Sequence, residues 1–369
     1  MKLTLNREHF LKGLQIVAGV VEKRQTMPIL GNFLLQINGH HLTLTGSDLE
    51  IESRAQVTID EIEGEAFDIT LPAQKLLTIV RSLPEGISVS LDFEAQRCTL
   101  TAGRSAFKLS TLPAADYPHL DLSRVEVALQ MSQAQLKQML AQTSFAMASQ
   151  DVRFYLNGML FDVSPQALRL VATDGHRLST AALEADFASL TPMQVIVPRK
   201  GIVELAKLLQ ASDELVELAF AKNYLTVKLA DTVFTCKLIE GRYPDFRRVI
   251  PTQNEVQVIT DRELMRAILQ RAAILSNERF KGVRMVIENN LLTVHAQNTE
   301  QDESNEDMAI DYLGDKIEIG FNVSYLLDVI QAVKDEQIVL RLKDSSSSCL
   351  IATDEGLIAT QHVVMPMRL

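Results

Sequence analysis

One architectural unit occurs three times in this chain at a spacing near 126 residues, and that repetition restricts the possible folds more than any local motif. Tyr117-Pro118, which closes SAFKLSTLPAADYP, returns 126 positions later as Tyr243-Pro244, which closes TVFTCKLIEGRYP. A helical pattern opening at Asn6 recurs at Ser132 and Asp261, and a second one opening at Pro72 recurs at Pro198 and Asn322. A chain of 369 residues divides into three units of ordinary domain size. Turn-forming and polar residues at Asp121 to Val127 and at Pro251 to Val256 place the joints, giving domains over 1–125, 126–253 and 254–369.

Between the two helices of each unit the period shifts from 3.6 to short alternating or continuous apolar runs, which predict strands. In the second unit these are RFYLNGMLFDV, ALRLVATDG and HRLSTAAL, followed after the helix by ELVELAFA, YLTVKLAD and TVFTCKLI. Short connections make such strands antiparallel. The predicted fold class is therefore α+β, three repeated domains, each an antiparallel sheet with two helices on one face.

No apolar run approaches the length of a membrane span. The start, MKLTLNREHF, has no signal-peptide core, and the three widely spaced cysteines read as buried thiols of a reducing cytoplasm. Histidines and cysteines show no metal-ligand spacing, and no Gly-rich loop has the Walker pattern, so no cofactor is expected. The net charge of −11 is unevenly spread: the six helical patterns with their flanks sum to +7, and the remainder carries −18. Helices facing one way would form a basic surface on an acidic body, able to hold a polyanion. Six helices each about 10 Å across would line a circle with a lumen of only about 10 Å, too narrow for a duplex about 20 Å wide. Two chains would leave about 28 Å, so a dimer would fit around DNA.

TDGHRL (Thr173 to Leu178) reads two ways. Asp174 beside His176 could do acid-base work, or Asp-Gly could simply turn a hairpin. The equivalent strings TGSDLE and AQNTE lack the pair, and no nucleophile is evident. A ring around nucleic acid, a hydrolase and a triplicated protein-binding scaffold all remain compatible with these features.

Longer motifs narrow the choice. PILGNFLLQ, GRSAFKLSTLPAADYPHL, QDVRFYLNGMLF, VATDGHRL, VIVPRKGIVEL, GRYPDFRRV, RAAILSNERFKGVR, IGFNVSYLLDV and the terminal VVMPMRL closely resemble, end to end and in order, the bacterial DNA polymerase III β subunit, the sliding clamp. The resemblance implies a head-to-tail homodimer forming a six-domain ring, helices inward, that encircles double-stranded DNA without reading its sequence and catalyses no reaction. It implies as partners the replicative polymerase α subunit, the clamp loader, and other polymerases and repair proteins carrying short clamp-binding motifs with Gln and bulky apolar residues. Their cleft would be formed by Leu156, Thr173, Gly175, His176, Arg177, Leu178, Pro244, Val249, Asn322, Tyr325, Ser346, Ser348, Val363, Val364, Met365, Pro366, Met367 and Arg368. DNA contacts would fall to Arg24, Gln150, Arg153, Phe154, Tyr155, Lys200 and Arg248. At the dimer interface, Arg104 and Lys108 would face the acidic run Glu300, Asp302, Glu303, Glu306 and Asp307, while Phe107 and Leu109 pack on Ile274 and Leu275. Because Met365 and Met367 alternate with Pro366, opposite faces of the terminal strand would serve core and cleft.

Overall fold

The computed structural model describes residues 1–22, 27–120, 124–185, 187, 191–353 and 356–368. Arg24 and the segment 121–123 at the first expected domain joint lie outside these residues.

Six α-helices occur among the described residues: α1 (Arg7–Ala18), α2 (Ala73–Ser82), α3 (Gln133–Thr143), α4 (Arg199–Leu208), α5 (Arg262–Ile274) and α6 (Val323–Ala332). Their starts are written locally. The Asn6 carboxamide accepts from the Glu8 and His9 amides, Asp261 caps α5 through the Leu264 amide, and Asn322 caps α6 through the Ser324 amide. Each helix buries one stripe, Phe10, Leu14 and Val17 in α1 and Met265, Ile268, Leu269 and Ala272 in α5. A Cβ added to Gly13 would lie 2.5 Å from Val57 Cγ2, so only glycine lets α1 approach its sheet this closely.

The chain forms two compact units, residues 1–134 with 203–238, and residues 135–202 with 239–369. The first unit holds a five-stranded sheet, ordered Glu61–Glu63, Lys2–Asn6, Ser88–Glu94, Arg97–Ala102, Ser105–Ser110. It also holds a nine-stranded sheet, ordered Leu112–Pro113, Ile69–Pro72, Asn32–Asn38, His41–Ser47, Ile51–Thr58, Thr232–Lys237, Tyr224–Leu229, Leu215–Ala221, Val125–Ser132. The second unit holds an eight-stranded sheet, ordered Met193–Pro198, Gly158–Ser164, Ala167–Thr173, Arg177–Glu184, Ile358–Val364, Cys349–Thr353, Gln337–Leu342, Val256–Asp261. Its other sheet has four strands, ordered Glu303–Ala309, Leu291–Gln297, Gly282–Glu288, Ile317–Asn322. All the recorded strand pairings are antiparallel, as expected.

The strands of one repeat, however, divide between two sheets, and the larger sheets join successive repeats. Phe234 pairs with Ser53 in one, and Val363 with Leu178 in the other. Backbone groups at the end of one repeat's sheet are thus satisfied by the next repeat. This is why the compact units do not coincide with the sequence repeats. The first unit has a core around Phe10, Phe33, Leu76 and Leu91. The second has a large core around Leu269, Val294, Phe321 and Ile330, and a separate smaller cluster of Leu156, Leu160, Val171, Leu178, Ile196, Tyr243, Phe246, Leu350 and Val363.

Candidate functional site

That smaller cluster is the floor of the candidate site, and it lies within the second unit. Leu156 and Leu178 come from the second repeat and Val363 from the third, brought together because the strands Arg177–Glu184 and Ile358–Val364 are neighbours. Val249 and Ile250 pack against its margin, while Pro244 is exposed. At Val364 the terminal strand ends: Val363 faces this cluster and Val364 the large core. The alternation expected at Met365 and Met367 therefore occurs one pair earlier. Both methionines are half-buried, with the Met365 amide donating to His176 O at 3.0 Å and the Met367 amide to Gly320 O at 2.9 Å. Arg368 is exposed.

Thr173 to Leu178 is a turn between two strands. Asp174 Oδ1 accepts from the His176 and Arg177 amides at 2.9 and 3.0 Å, and Thr173 Oγ1 accepts from the Gly175 amide and donates to Arg177 O. Gly175 has φ +90°, and an added Cβ would sit 3.0 Å from Arg153 Nη2. Asp174 is thus committed to holding the turn. Beside it, Arg177 is held on all sides: Nε donates to Asp174, Nη1 to Asp328 and Nη2 to Phe145 O, with its guanidinium 4.5 Å from the Tyr325 ring centre and 5.4 Å from that of Phe145. The His176 and Tyr325 rings stack at 6.4 Å. Phe145 and Asp328 were not anticipated from sequence. Asp328 lies three residues after Tyr325 on α6, a spacing that could have identified it; Phe145 carries no comparable signal.

Asn322 occupies the α6 cap, and its Nδ2 donates to Phe280 O at 3.3 Å. Ser346 binds Asp344 through both its amide and its hydroxyl, and the carboxyl of Asp344 is lowered to about 2, first by the Ser346 amide. Ser348 O accepts from Asn254 Nδ2 at 2.8 Å. Here the backbone is fixed, and Ser346 is exposed with its hydroxyl engaged by Asp344.

Register comparison with the first repeat reveals what distinguishes this floor. Val171 pairs with Thr180 and Thr173 with Leu178; 126 residues earlier, Thr45 pairs with Arg54 and Ser47 with Glu52. Glu52 is 1% exposed and bridges Arg54 at 2.6 Å, where the second repeat has the equally buried Leu178. The same backbone therefore carries an apolar surface once and, once, a buried carboxylate paired with a partly exposed arginine.

Of the expected DNA contacts, Gln150, Arg153, Phe154 and Tyr155 form one short segment, in which the Asp151 amide is held by Asn157 Oδ1. Arg153 pairs with Asp151 through two hydrogen bonds of 3.0 and 2.8 Å and holds its carboxyl down to about 2. It also donates to Asp174 O, which ties this segment to the turn. Phe154 is exposed, and its ring meets Tyr155 edge-on. Arg248 has 85% of its side chain exposed beside Asp245, and Lys200 is half-buried at the start of α4.

The expected interface residues lie on or beside two sheet edges, except Ile274 and Leu275, which end α5. Ser105–Ser110 is the terminal strand of the five-stranded sheet, and Glu303–Ala309 that of the four-stranded sheet. Leu109, however, is packed in its own domain core, with Phe107 half-buried on the same face and Arg104 and Lys108 exposed. Leu109 is thus committed to its own core, and of the two apolar side chains only Phe107 leaves part of its surface exposed. Glu306 already receives Arg271 at 2.9 and 2.6 Å, which lowers its carboxyl, and Asp302 is held by Asn298. Glu300, Glu303 and Asp307 are exposed.

His362 is fully buried next to Phe145, with Nδ1 at 3.1 Å from Ser179 Oγ and Nε2 without a hydrogen-bond partner. Burial depresses its pKa from 6.5 to about 4. The unfolded chain thus takes up a proton at this position before the folded one does. Stability is full above pH 6.5 and falls between there and pH 4, by about 3 kcal/mol. Thermal melts at pH 7 and pH 5 should show a smaller difference in His362→Gln than in the unmodified protein; equal differences would remove His362 as the cause.

Three family matches cover the chain in order: DNA polymerase III beta subunit, N-terminal domain, over residues 1–121, central domain over 130–245, and C-terminal domain over 247–368. The chain is 45% identical to the beta sliding clamp of Pseudomonas aeruginosa and 46% identical to that of Escherichia coli, each over 369 residues covering 100% of both chains. A crystal structure of the P. aeruginosa DNA polymerase III subunit beta superposes with TM-score 0.96, over 100% of both chains at 45% identity. The pol III beta of Caulobacter crescentus gives 0.92 at 35% identity, again over 100% of both. A further P. aeruginosa clamp structure is bound to griselimycin, with TM-score 0.96 and 45% identity over 100% of both chains. On the repeated domains and these full-length matches, the chain belongs to the DNA polymerase III β subunit family, the bacterial sliding clamps.

Proposed function

We propose that two copies close head to tail into a ring around duplex DNA and tether partner proteins through the cleft floored by Leu156, Leu178 and Val363, without catalysing a reaction. The domains run over 1–125, 126–253 and 254–369, and the protein acts in the cytoplasm. The observation that carries the cleft reading is the contrast between repeats: Val171 and Leu178 stand where the first repeat has Thr45 and Glu52. An apolar floor suits bulky apolar side chains of a short motif, and the half-buried Met365, bonded through its amide to His176 O, and Met367 can adapt to more than one peptide. The partners are the replicative polymerase α subunit, the clamp loader, and other polymerases and repair proteins bearing such motifs.

Lys200, Arg248 and the segment from Gln150 to Tyr155 contact phosphates in this reading, and the exposed Phe154 offers a flat apolar surface. Because Arg153 is held by Asp151 and Asp174 O, its contact with DNA is weak and shared, as sliding requires. Ring closure joins the edge strand Ser105–Ser110 of one copy to Glu303–Ala309 of the next, a heterologous contact that closes after two copies. Loaded protein should persist on nicked circular DNA and be lost once the circle is linearised. Equal retention on both would exclude topological binding.

A further inference from the structure

The segment from Tyr243 to Ile250 packs on one face of the eight-stranded sheet and supplies two residues of the expected cleft, Pro244 and Val249. Tyr243 and Phe246 are buried in the floor cluster, whereas Arg247 and Arg248 are exposed. A single turn of 3-10 helix, Phe246–Arg248, ends with the Val249 amide donating to Phe246 O at 3.0 Å. Val249 therefore stands where the Phe246 ring puts it.

Two rows of sheet residues hold that ring. Leu160, paired with Val171 on one side and Ile196 on the other, gives an apolar row in the same cluster as Phe246. Two residues along each strand runs a polar row, in which Asp162 pairs with Arg169 and with Gln194. Strand alternation puts both rows on one face. The Arg169 guanidinium lies 5.9 Å from the Phe246 ring centre and that of Arg247 4.6 Å from it. Arg247 also donates to Asp162 Oδ2 at 2.8 Å, and Gln194 Nε2 donates to Asp162 Oδ1 at 3.0 Å, so both carboxylate oxygens are engaged. Asp162 has 13% of its side chain exposed and Arg247 57%. The anchor is thus a ring seated on an apolar row and latched at its edge by one ion pair within reach of solvent.

We propose that Asp162, Arg169 and Arg247 are positioning residues for the cleft: by holding Phe246 they set how far the wall at Pro244 and Val249 stands from the floor at Leu178 and Val363. This role rests on the cleft reading above and extends it to side chains outside the expected cleft. Opening the latch costs the fold little, because Phe246 keeps its apolar seat. It loosens the wall, and the cost of ordering the wall then falls on peptide binding. Salt weakens a solvent-accessible ion pair, so even an uncharged peptide should bind less tightly as salt rises.

The test is fluorescence polarisation of the full-length protein with an uncharged motif peptide, carrying Gln, bulky apolar residues and a neutral dye. Asp162→Asn and Arg247→Gln should each weaken binding about fivefold, the most that one such pair contributes. The double variant should be no weaker than Arg247→Gln alone, because both changes break the same bond. Arg247→Lys, which keeps the charge, should bind within about twofold of the unmodified protein. Between about 50 and about 500 mM salt the unmodified protein should lose about twofold in affinity and Asp162→Asn none. Melting temperatures should stay within about 4 °C of one another. Unchanged affinity in both single variants, additive losses in the double variant, a salt response that survives in Asp162→Asn, or a loss of affinity no greater than the loss of folded protein would each overturn the proposal. No binding by the unmodified protein would instead remove the cleft itself, and the positioning role with it.

Discussion

Replacing Leu178 with Glu and Thr180 with Arg in one chain abolishes binding of a Gln-containing apolar motif peptide while leaving the protein folded. The two substitutions transplant the Glu52–Arg54 bridge of the first repeat onto the same register of the second. An unpaired buried carboxylate would unfold the site, and the added arginine supplies its partner. Peptide groups that formerly met Leu178 now meet a charged pair that must lose water to receive them. The affinity should fall by at least about 100-fold, equivalent to about 2.7 kcal/mol. Fluorescence polarisation of a labelled motif peptide measures the loss, and a melting temperature within about 5 °C of the unmodified protein would show that the fold persists. Full affinity in the folded double variant would mean that the motif does not rest on this floor.

Ile274→Ala combined with Leu275→Ala converts the dimer to monomer at concentrations where the unmodified ring remains closed. Ile274 is 77% exposed at the end of α5, so its loss does little to the monomer's own core. Burying such a side chain contributes about 1.5–3 kcal/mol, and a closed dimer has two identical interfaces. The combined loss is of order 6 kcal/mol, raising the dissociation constant by about 10⁴-fold. Sedimentation velocity over a dilution series reads the shift, and an unchanged dimer at the lowest detectable concentration would refute it. Salt should matter less than these two residues, because Glu306 is already engaged by Arg271 within its own domain.

Much of this molecule is legible from local chemistry. Asn6, Asp261 and Asn322 mark helix starts through their own side chains, and the buried stripes of α1 and α5 follow a 3.6-residue period that any reader of the sequence can see. The interface strands illustrate the limit. Phe107 and Leu109 were identifiable as apolar and important, but strand alternation turns Leu109 into its own core and leaves Lys108 outside. Arg177 was named from its motif, whereas the cage around it draws on Phe145, Tyr325 and Asp328, residues that meet only after two repeats have packed.

By itself, then, the sequence determined the triplication, the order of helices and strands, the family, and the residue types at the cleft, because repeats, caps and periodicity are properties of near neighbours along the chain. Tertiary structure alone decided that sheets run from one repeat into the next, that Val363 completes a floor begun by Leu156, and that equivalent backbones carry Leu178 in one repeat and a buried Glu52 in another. Those outcomes depend on which strand edges find one another, a choice made by burial and hydrogen bonding over separations of more than a hundred residues.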